Sequence, residues 1–151
     1  MDNTQTQAAI DALNQIMELE LAGVVRYTHY SLMVYGYNRI PIVSWLKANA
    51  SESLDHALKA GELVTLMGGH PSLKIGALLE TERHDIGDIM RESLAHEQTA
   101  LAAYYALLKI AEGSSVLLEE YAREMIVQEE LHSDEVNKML RHPGEMVPFK
   151  A

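Results

Sequence analysis

A carboxylate and an imidazole stand three residues apart near the C-terminus, in the stretch QEELHSDE. They are Glu129 and His132, and the apolar residues around them, Met125, Ile126 and Val136, recur at helical spacing. Charged side chains are rarely buried unless they are paired or bind a metal ion. Either this apolar face is assigned wrongly, or a cation binds to the pair inside the protein.

Two further glutamates fall on apolar faces in other helical stretches. Glu20 lies four residues after Ile16 and four before Val24, and Glu97 lies three residues after Leu94. A single inward glutamate is more often a residue at the edge of such a face. Carboxylates at a similar depth in one core, however, repel each other unless divalent ions neutralise them. Together they predict a metal site.

The stretch SESLDHA adds an imidazole from a fourth helical segment. His56 precedes Leu63 by seven residues, which places both on one helical face, and Glu52 precedes His56 by four. Asp55 adjoins His56 but points sideways. A lone histidine on an apolar face is usually a core residue, so this segment contributes to the prediction only in combination with the others.

The remaining histidines and two tyrosines are assigned other roles. Tyr27 and Tyr104 lie on the same faces as Glu20 and Glu97, and we expect core aromatic rings whose hydroxyls bond to ligand carboxylates. The other histidines fall in turns, off the apolar faces or in the tail, and we expect them to be solvated: His29, His70, His84, His96 and His142.

Four long helices are predicted to position these residues. Their approximate bounds are 6–37, 42–67, 86–111 and 115–140, and a tail over 141–151 is either a short cap or disordered. The connection over 68–85 is too short for another long helix but long enough to run the length of one. We therefore predict one all-α domain over 1–151, a four-helix bundle with up-down-down-up topology and one long crossover, as in ferritin-like folds.

The composition restricts the class of function. The 151-residue chain has no cysteine, so any metal must be held by His, Asp and Glu. Its net charge of −10 argues against nucleic-acid binding. The longest apolar runs are far short of a membrane span, and the N-terminus lacks the regions of a signal peptide. We expect a cytoplasmic protein that makes no contact with a membrane.

The sequence resembles the bacterioferritins, within the wider ferritin-like group of di-iron carboxylate proteins. The resemblance runs from LNQIMELELAGVVRY through LDHA and GGHP to SLAHE and EELH, nearly the whole chain. In that family one glutamate from each of two helices and a Glu-x-x-His from each of the others hold two irons. The resemblance implies that the catalytic metal ligands are Glu20, His56, Glu97, Glu129 and His132.

Two positions depart from the pattern of that family. In that family a glutamate stands three residues before the histidine of the second helix, which here is His56. This chain has Ser53 at that position, and Glu52 or Asp55 is the expected substitute ligand. Bacterioferritins also carry a methionine two residues before that histidine, which ligates haem between two subunits, and here the residue is Leu54. We expect no haem at this position.

The resemblance implies a di-iron ferroxidase that oxidises Fe(II) with O2 or H2O2 and stores iron in a homo-oligomer, from a dimer up to a ferritin-like shell. Glu20 and Glu97 would be terminal ligands, Glu129 a bridge, and His56 and His132 terminal nitrogens. Two irons per subunit are expected, with manganese as the alternative because the same ligands serve both metals.

Two alternative functions remain open. One is a rubrerythrin-like peroxidase or an oxygenase with a di-iron or di-manganese site. It would need an outside electron donor, because a chain without cysteine has no rubredoxin domain. The other is a non-catalytic, DNA-protecting ferritin relative, against which the negative net charge speaks.

Overall fold

A computed structural model describes residues 1–78 and 80–150 of the chain. Within these residues it contains no β-strand and four helices: α1 (Asn3–Met33), α2 (Arg39–Leu66), α3 (Ile86–Ala111) and α4 (Val116–Leu140). The predicted all-α four-helix class is confirmed. That the chain forms one domain over 1–151 stays a prediction, and Leu79 in the crossover and Ala151 in the tail lie outside the described residues.

Helix α1 begins earlier and ends earlier than predicted. It begins at Asn3 because Asp2 forms a capping box, in which its side chain accepts a hydrogen bond from the Gln5 amide at 2.8 Å and the Gln5 side chain accepts one from the Asp2 amide at 3.1 Å. It ends at Met33 because the chain then turns through Gly36, whose φ of 96° suits only glycine.

The other helix ends follow ordinary sequence signals. Helix α2 starts at Arg39, before the predicted position 42, because Pro41 is tolerated in a first turn whose amides need no helical acceptor. Gly68, with a φ of 82°, follows the end of α2 in the left-handed conformation expected there. The Ser115 side chain caps α4 by accepting a hydrogen bond from the Leu118 amide.

The topology follows from the lengths of the connections. Short joints over 34–38 and 112–115 make α1–α2 and α3–α4 antiparallel pairs, whereas the crossover over 67–85 returns along the bundle. The crossover lies against α1: the Ser72 amide donates to the Asn14 side chain and the Gly76 amide to the Glu18 carbonyl, each at 2.8 Å. This arrangement is the predicted up-down-down-up bundle.

The core consists of two apolar clusters separated by a polar layer. On α1 the first cluster reaches Met17 and the second begins at Tyr27. On α4 the first cluster ends at Ile126 and the second contains Val136. All four helices therefore pass through one layer that the apolar clusters leave to polar side chains. The longest run of apolar residues in any described helix is insufficient to cross a bilayer.

The described part of the tail, residues 141–150, folds back on α4. The Asn137 side chain donates to the Phe149 carbonyl at 2.9 Å and accepts from the Phe149 amide at 3.0 Å. Phe149 packs against the second apolar cluster. The tail was predicted to be either a short cap or disordered, and residues 141–150 form a cap on the end of the bundle.

Candidate metal centre

Each helix contributes at least one polar side chain to the layer between the apolar clusters. Glu20 on α1, Glu97 on α3 and Glu129 on α4 are buried, with exposed fractions of 4%, 5% and 4%. His56 on α2 is also buried, and His132 lies one helical turn beyond Glu129. We call these five residues the candidate metal centre.

The first half of the candidate metal centre joins α1, α2 and α4. His56 Nδ1 lies 3.6 Å from Glu20 Oε1 and 3.5 Å from Glu129 Oε1, and the three ligand atoms lie within 4.8 Å of one another. The Tyr104 hydroxyl donates to Glu20 Oε1 at 2.9 Å. His56 Nε2 lies 3.1 Å from the Gln128 side-chain oxygen, which fixes the orientation of the ring.

The second half lies between α3 and α4. His132 Nε2 is 3.8 Å from Glu97 Oε1, and Trp45 stacks on the His132 ring with centroids 5.8 Å apart. The Tyr27 hydroxyl donates to Glu97 and lies 3.2 Å from His132 Nε2. Both tyrosines therefore contact glutamates of the centre, as predicted.

The electrostatics of the layer reflect an excess of carboxylates. Burial raises the pKa of Glu20, and burial together with the neighbouring Glu129 raises the pKa of Glu97 well above its ordinary value. Burial alone would lower the pKa of His56, but the hydrogen bonds and charges of Glu129 and Glu20 raise it to about 10. The layer therefore disfavours ionised carboxylates on their own, and a bound cation would stabilise the ionised forms.

The residues of the layer fit a metal ion. Within the described residues, Glu129 Oε2 is a buried oxygen without a hydrogen-bond partner. Leaving such a group without a partner costs free energy, and a metal bond would supply one. Carboxylate oxygens and imidazole nitrogens suit both iron and manganese.

The predicted substitutes for the missing helix-two carboxylate are placed differently. Ser53 is buried and lines the small cavity of the centre. Glu52 lines the same cavity with a side chain that is half exposed, and its Oε1 lies 3.7 Å from His56 Nε2. Asp55 is exposed on α2. Glu52 therefore lies at the edge of the cavity, against the His56 nitrogen that faces away from Glu20 and Glu129, whereas Asp55 is exposed. Leu54 is exposed at 43%.

The prediction that His96 is solvated is wrong. His96 is 7% exposed and contacts the α1 backbone near Gly23. Burial, followed by the charge of Arg26, lowers the pKa of His96 to about 4. Its position seven residues after Ile89 was the sequence signal for an inward side chain.

The remaining histidines divide into two groups. His70 and His142 are exposed, as predicted. His29 and His84 are partly exposed and lie beside Glu80 with their Nε2 atoms buried, so their assignment as solvated holds for only part of each ring. Their proximity depends on how the crossover lies against α1, which residue spacing does not give.

Sequence reasoning missed two residues near the centre. Asn49 lines its cavity and is buried, and it stands seven residues before His56, a spacing that marks the same helical face. Trp45 stands eleven residues before His56 on the same face of α2, but its stacking on His132 crosses from α2 to α4 and has no signal in the spacing.

Comparisons with known proteins agree with this geometry. The family model described as a ferritin-like domain matches residues 10–144. A ferritin-like, di-iron carboxylate protein from Bacillus anthracis has a TM-score of 0.87 at 21% identity, and the match covers 93% of this chain and all of that one, 100%. No curated protein matched the sequence.

Two other solved structures have the same fold. Bacterioferritin from Desulfovibrio desulfuricans, solved with its di-iron site in different catalytic states, has a TM-score of 0.79 at 22% identity over 91% of this chain and 80% of that one. A dodecameric thioferritin from Bacteroides fragilis has a TM-score of 0.80 at 19% identity, and the match covers 89% of this chain and 85% of that one. At these identities the likeness establishes a shared fold.

Proposed function

Because the chain belongs to the family of ferritin-like domains, we propose that it is a ferroxidase that binds two Fe(II) ions per subunit and oxidises them with O2 or H2O2. The reaction would serve iron storage or detoxification. The observation that supports this function is the buried layer in which three glutamates from three helices lie beside His56 and His132.

The two halves of the candidate metal centre suggest a division of ligands. Glu20 and His56 would hold one ion, Glu97 and His132 the other, and Glu129 would be shared because it faces His56 and also contacts Glu97. The Tyr27 and Tyr104 hydroxyls would fix the two terminal carboxylates by donating hydrogen bonds to them.

The redox chemistry balances with Fe(II) as the substrate. Two Fe(II) ions lose one electron each, and O2 with two protons is reduced to H2O2. With H2O2 as oxidant, two electrons and two protons give two water molecules. The carboxylates of the layer favour this direction because their negative charge stabilises the higher charge of Fe(III).

Manganese, assembly and location are parts of the same proposal. Manganese is the alternative metal because the ligand set suits both ions. We propose a homo-oligomer, between a dimer and a ferritin-like shell, and the dodecameric thioferritin with the same fold supports this. A cytoplasmic protein that binds neither nucleic acid nor membrane is consistent with the net charge of −10.

We propose that the protein binds no haem, because Leu54 offers no thioether where the bacterioferritin pattern has methionine. Protein purified after growth with ample haem should have no Soret absorbance. A stoichiometric Soret band would contradict this and would require another ligand.

The ferroxidase proposal is tested by anaerobic Fe(II) titration followed by exposure to O2. We expect two Fe(II) per chain and rapid formation of Fe(III), measured by near-ultraviolet absorbance. Glu129→Gln should abolish most of the Fe(II) binding and most of the Fe(III) formation, because it removes the shared charge from the buried layer. Glu130→Gln is the matched control, since its side chain is exposed next to Glu129 and its carboxylate bonds instead to the Tyr105 hydroxyl.

The contrary outcomes are distinct. Wild-type protein that takes up no Fe(II) or Mn(II) would refute the metal centre. Protein that binds two metals but turns over H2O2 only with an added electron donor, and retains no Fe(III), would favour the peroxidase alternative.

A further inference from the structure

Outside the candidate metal centre, His29, Glu80 and His84 meet on the surface of the bundle; we call them the outer cluster. His29 belongs to the last turns of α1, whereas Glu80 and His84 are four residues apart in the crossover just before α3. The Arg26 guanidinium donates a hydrogen bond to the Ala77 carbonyl at 2.8 Å, which holds this part of the crossover against α1.

The distances within the outer cluster suit a metal ion. His29 Nε2 lies 2.5 Å from Glu80 Oε2, His84 Nε2 lies 3.5 Å from Glu80 Oε1, and one ligand atom from each residue lies within 4.8 Å of the others. Ligands bound tetrahedrally at about 2.0–2.1 Å are themselves about 3.3 Å apart. Small rotations of the side chains would therefore place all three donors on one ion.

The two imidazole Nε2 atoms face Glu80 but are poorly aligned for hydrogen bonds to it. Both Nε2 atoms are inaccessible to solvent, and neither makes a hydrogen bond of acceptable geometry within the described residues, although Glu80 is close. The two rings are tilted by 67° with centroids 5.6 Å apart, so they do not stack on each other. A metal ion would use both nitrogen lone pairs at once.

The charges around the outer cluster are compatible with a cation. The hydrogen bond from the Glu82 amide, with smaller contributions from His29 and His84, lowers the pKa of the Glu80 carboxyl, which is therefore ionised at neutral pH. The Arg26 guanidinium lines the adjoining cavity and donates hydrogen bonds to the Ala77 carbonyl and the Tyr30 hydroxyl.

An adjoining cavity supplies access to the cluster. It has a volume of about 220 Å³ and is lined by Val25, Arg26, His29, Tyr30, Leu78 and Glu80. Water in this cavity could complete the coordination of an ion held by three protein ligands. Two imidazoles and one carboxylate with an open position favour borderline divalent ions such as Zn²⁺ and Co²⁺ over Mg²⁺ and Ca²⁺.

We propose that His29, Glu80 and His84 bind one divalent transition-metal ion, separate from the candidate metal centre, and that this ion fastens the crossover to α1. The bound ion would link two segments that are about fifty residues apart in the chain and would stabilise the contact between them. It therefore adds one metal to those required by the proposed ferroxidase.

The test uses Zn²⁺ and Co²⁺ as probes on the full chain. Metal per chain is measured by equilibrium dialysis for wild type, for the double variant His29→Ala/His84→Ala, and for the control His70→Ala/His142→Ala, which removes two exposed histidines. We expect the first variant to bind one Zn²⁺ fewer than wild type and to lose part of the visible Co²⁺ absorption. The control should match wild type.

Glu80→Gln keeps the side-chain length and guards against a folding defect in the double variant. It should weaken Zn²⁺ binding at the outer cluster at least about tenfold, with Fe(II) uptake at the candidate metal centre unchanged. Equal Zn²⁺ counts in wild type and the His29→Ala/His84→Ala variant would overturn the proposal. An equal loss in the control would also overturn it, because it would mean unspecific binding to surface histidines.

Discussion

Ser53 occupies the position at which the bacterioferritin pattern has a carboxylate, and Glu52 is the acidic residue of α2 that lines the same cavity. We expect Glu52→Ala to lower the iron count from two towards one per chain and to slow Fe(II) oxidation, because the layer loses a ligand oxygen. Asp55→Ala is the control, since Asp55 is exposed. Metal analysis and stopped-flow absorbance measure both effects.

A rescue variant makes this prediction sharper. Ser53→Glu in the Glu52→Ala background should restore both count and rate, because position 53 has the same spacing to His56 as Glu129 has to His132. Equal losses from Glu52→Ala and Asp55→Ala, or two metals bound with Glu52 turned to solvent, would argue that another group completes the site.

The two buried tyrosines allow the two halves of the centre to be perturbed separately. Tyr27→Phe removes the donor to Glu97, and Tyr104→Phe removes the donor to Glu20. Each change should weaken one of the two binding steps by about 10–100-fold and leave the other nearly intact. Calorimetric titration with Mn²⁺ under anaerobic conditions resolves the steps. A uniform loss in both variants would show that the halves do not bind independently.

Residues on helical faces were predictable from sequence, and contacts between helices were not. Glu20, Glu97 and Glu129 were assigned inward because apolar residues recur around each of them, and all three are buried. His96 was assigned to solvent, although α1 approaches it closely at Gly23. The spacing of His96, seven residues after Ile89, marks an inward position, whereas the contact with α1 depends on the packing of two helices and has no signal in the periodicity of either.

Helix α1 approaches α2 and α3 closely at Gly23. A Cβ there would lie 2.9 Å from Ser53 Oγ and 3.3 Å from His96 Nε2. Overpacking costs about 1–3 kcal/mol, whereas alanine gains about 0.5–1 kcal/mol of helix propensity over glycine, so Gly23→Ala should lower the free energy of unfolding by roughly 1 kcal/mol. Urea unfolding measures the change.

Gly61→Ala on α2 is the matched control for Gly23→Ala. Its Cβ would lie 3.1 Å from Met17 Sδ, the far part of a flexible side chain that can move aside. We expect Gly61→Ala to leave the free energy of unfolding unchanged or to raise it by up to about 1 kcal/mol. If both variants lost the same stability, the close approach at Gly23 would not be the cause.

At the level of elements, the sequence predicted the number and order of helices better than their ends. Both ends of α3 and the C-terminal end of α4 agree with prediction: the Asp85 side chain caps the start of α3, and glycine or proline follows the two C-terminal ends. Helix α1 was predicted to reach position 37, past Gly36, whereas the chain leaves the helix after Met33 and Tyr35 is 72% exposed beyond the last turn. The path of the crossover on α1 could not be predicted, since hydrogen bonds such as that from Ser72 to Asn14 have no periodic pattern.

For the whole molecule, metal binding should raise the unfolding temperature. An ion that binds only the native state at a hundred times its dissociation constant adds about 2.7 kcal/mol, which for a chain of this size corresponds to about 5–10 °C. Mn²⁺ should produce this shift in wild type and little of it in Glu129→Gln. Mg²⁺ is the control ion, because it prefers water and carboxylate oxygens to imidazole. An equal shift with both ions, or in both proteins, would mean that the stabilisation arises elsewhere.

The ligands of the candidate metal centre are shared unequally between two helical hairpins, and this bears on the order of events during synthesis. The α1–α2 hairpin, which leaves the ribosome first, carries Glu20 and His56, whereas the α3–α4 hairpin carries Glu97, Glu129 and His132. Local hairpins form before distant segments dock. The nascent N-terminal half therefore lacks a complete set for either ion, and high-affinity capture of metal waits until the last helix has emerged and the two hairpins have docked.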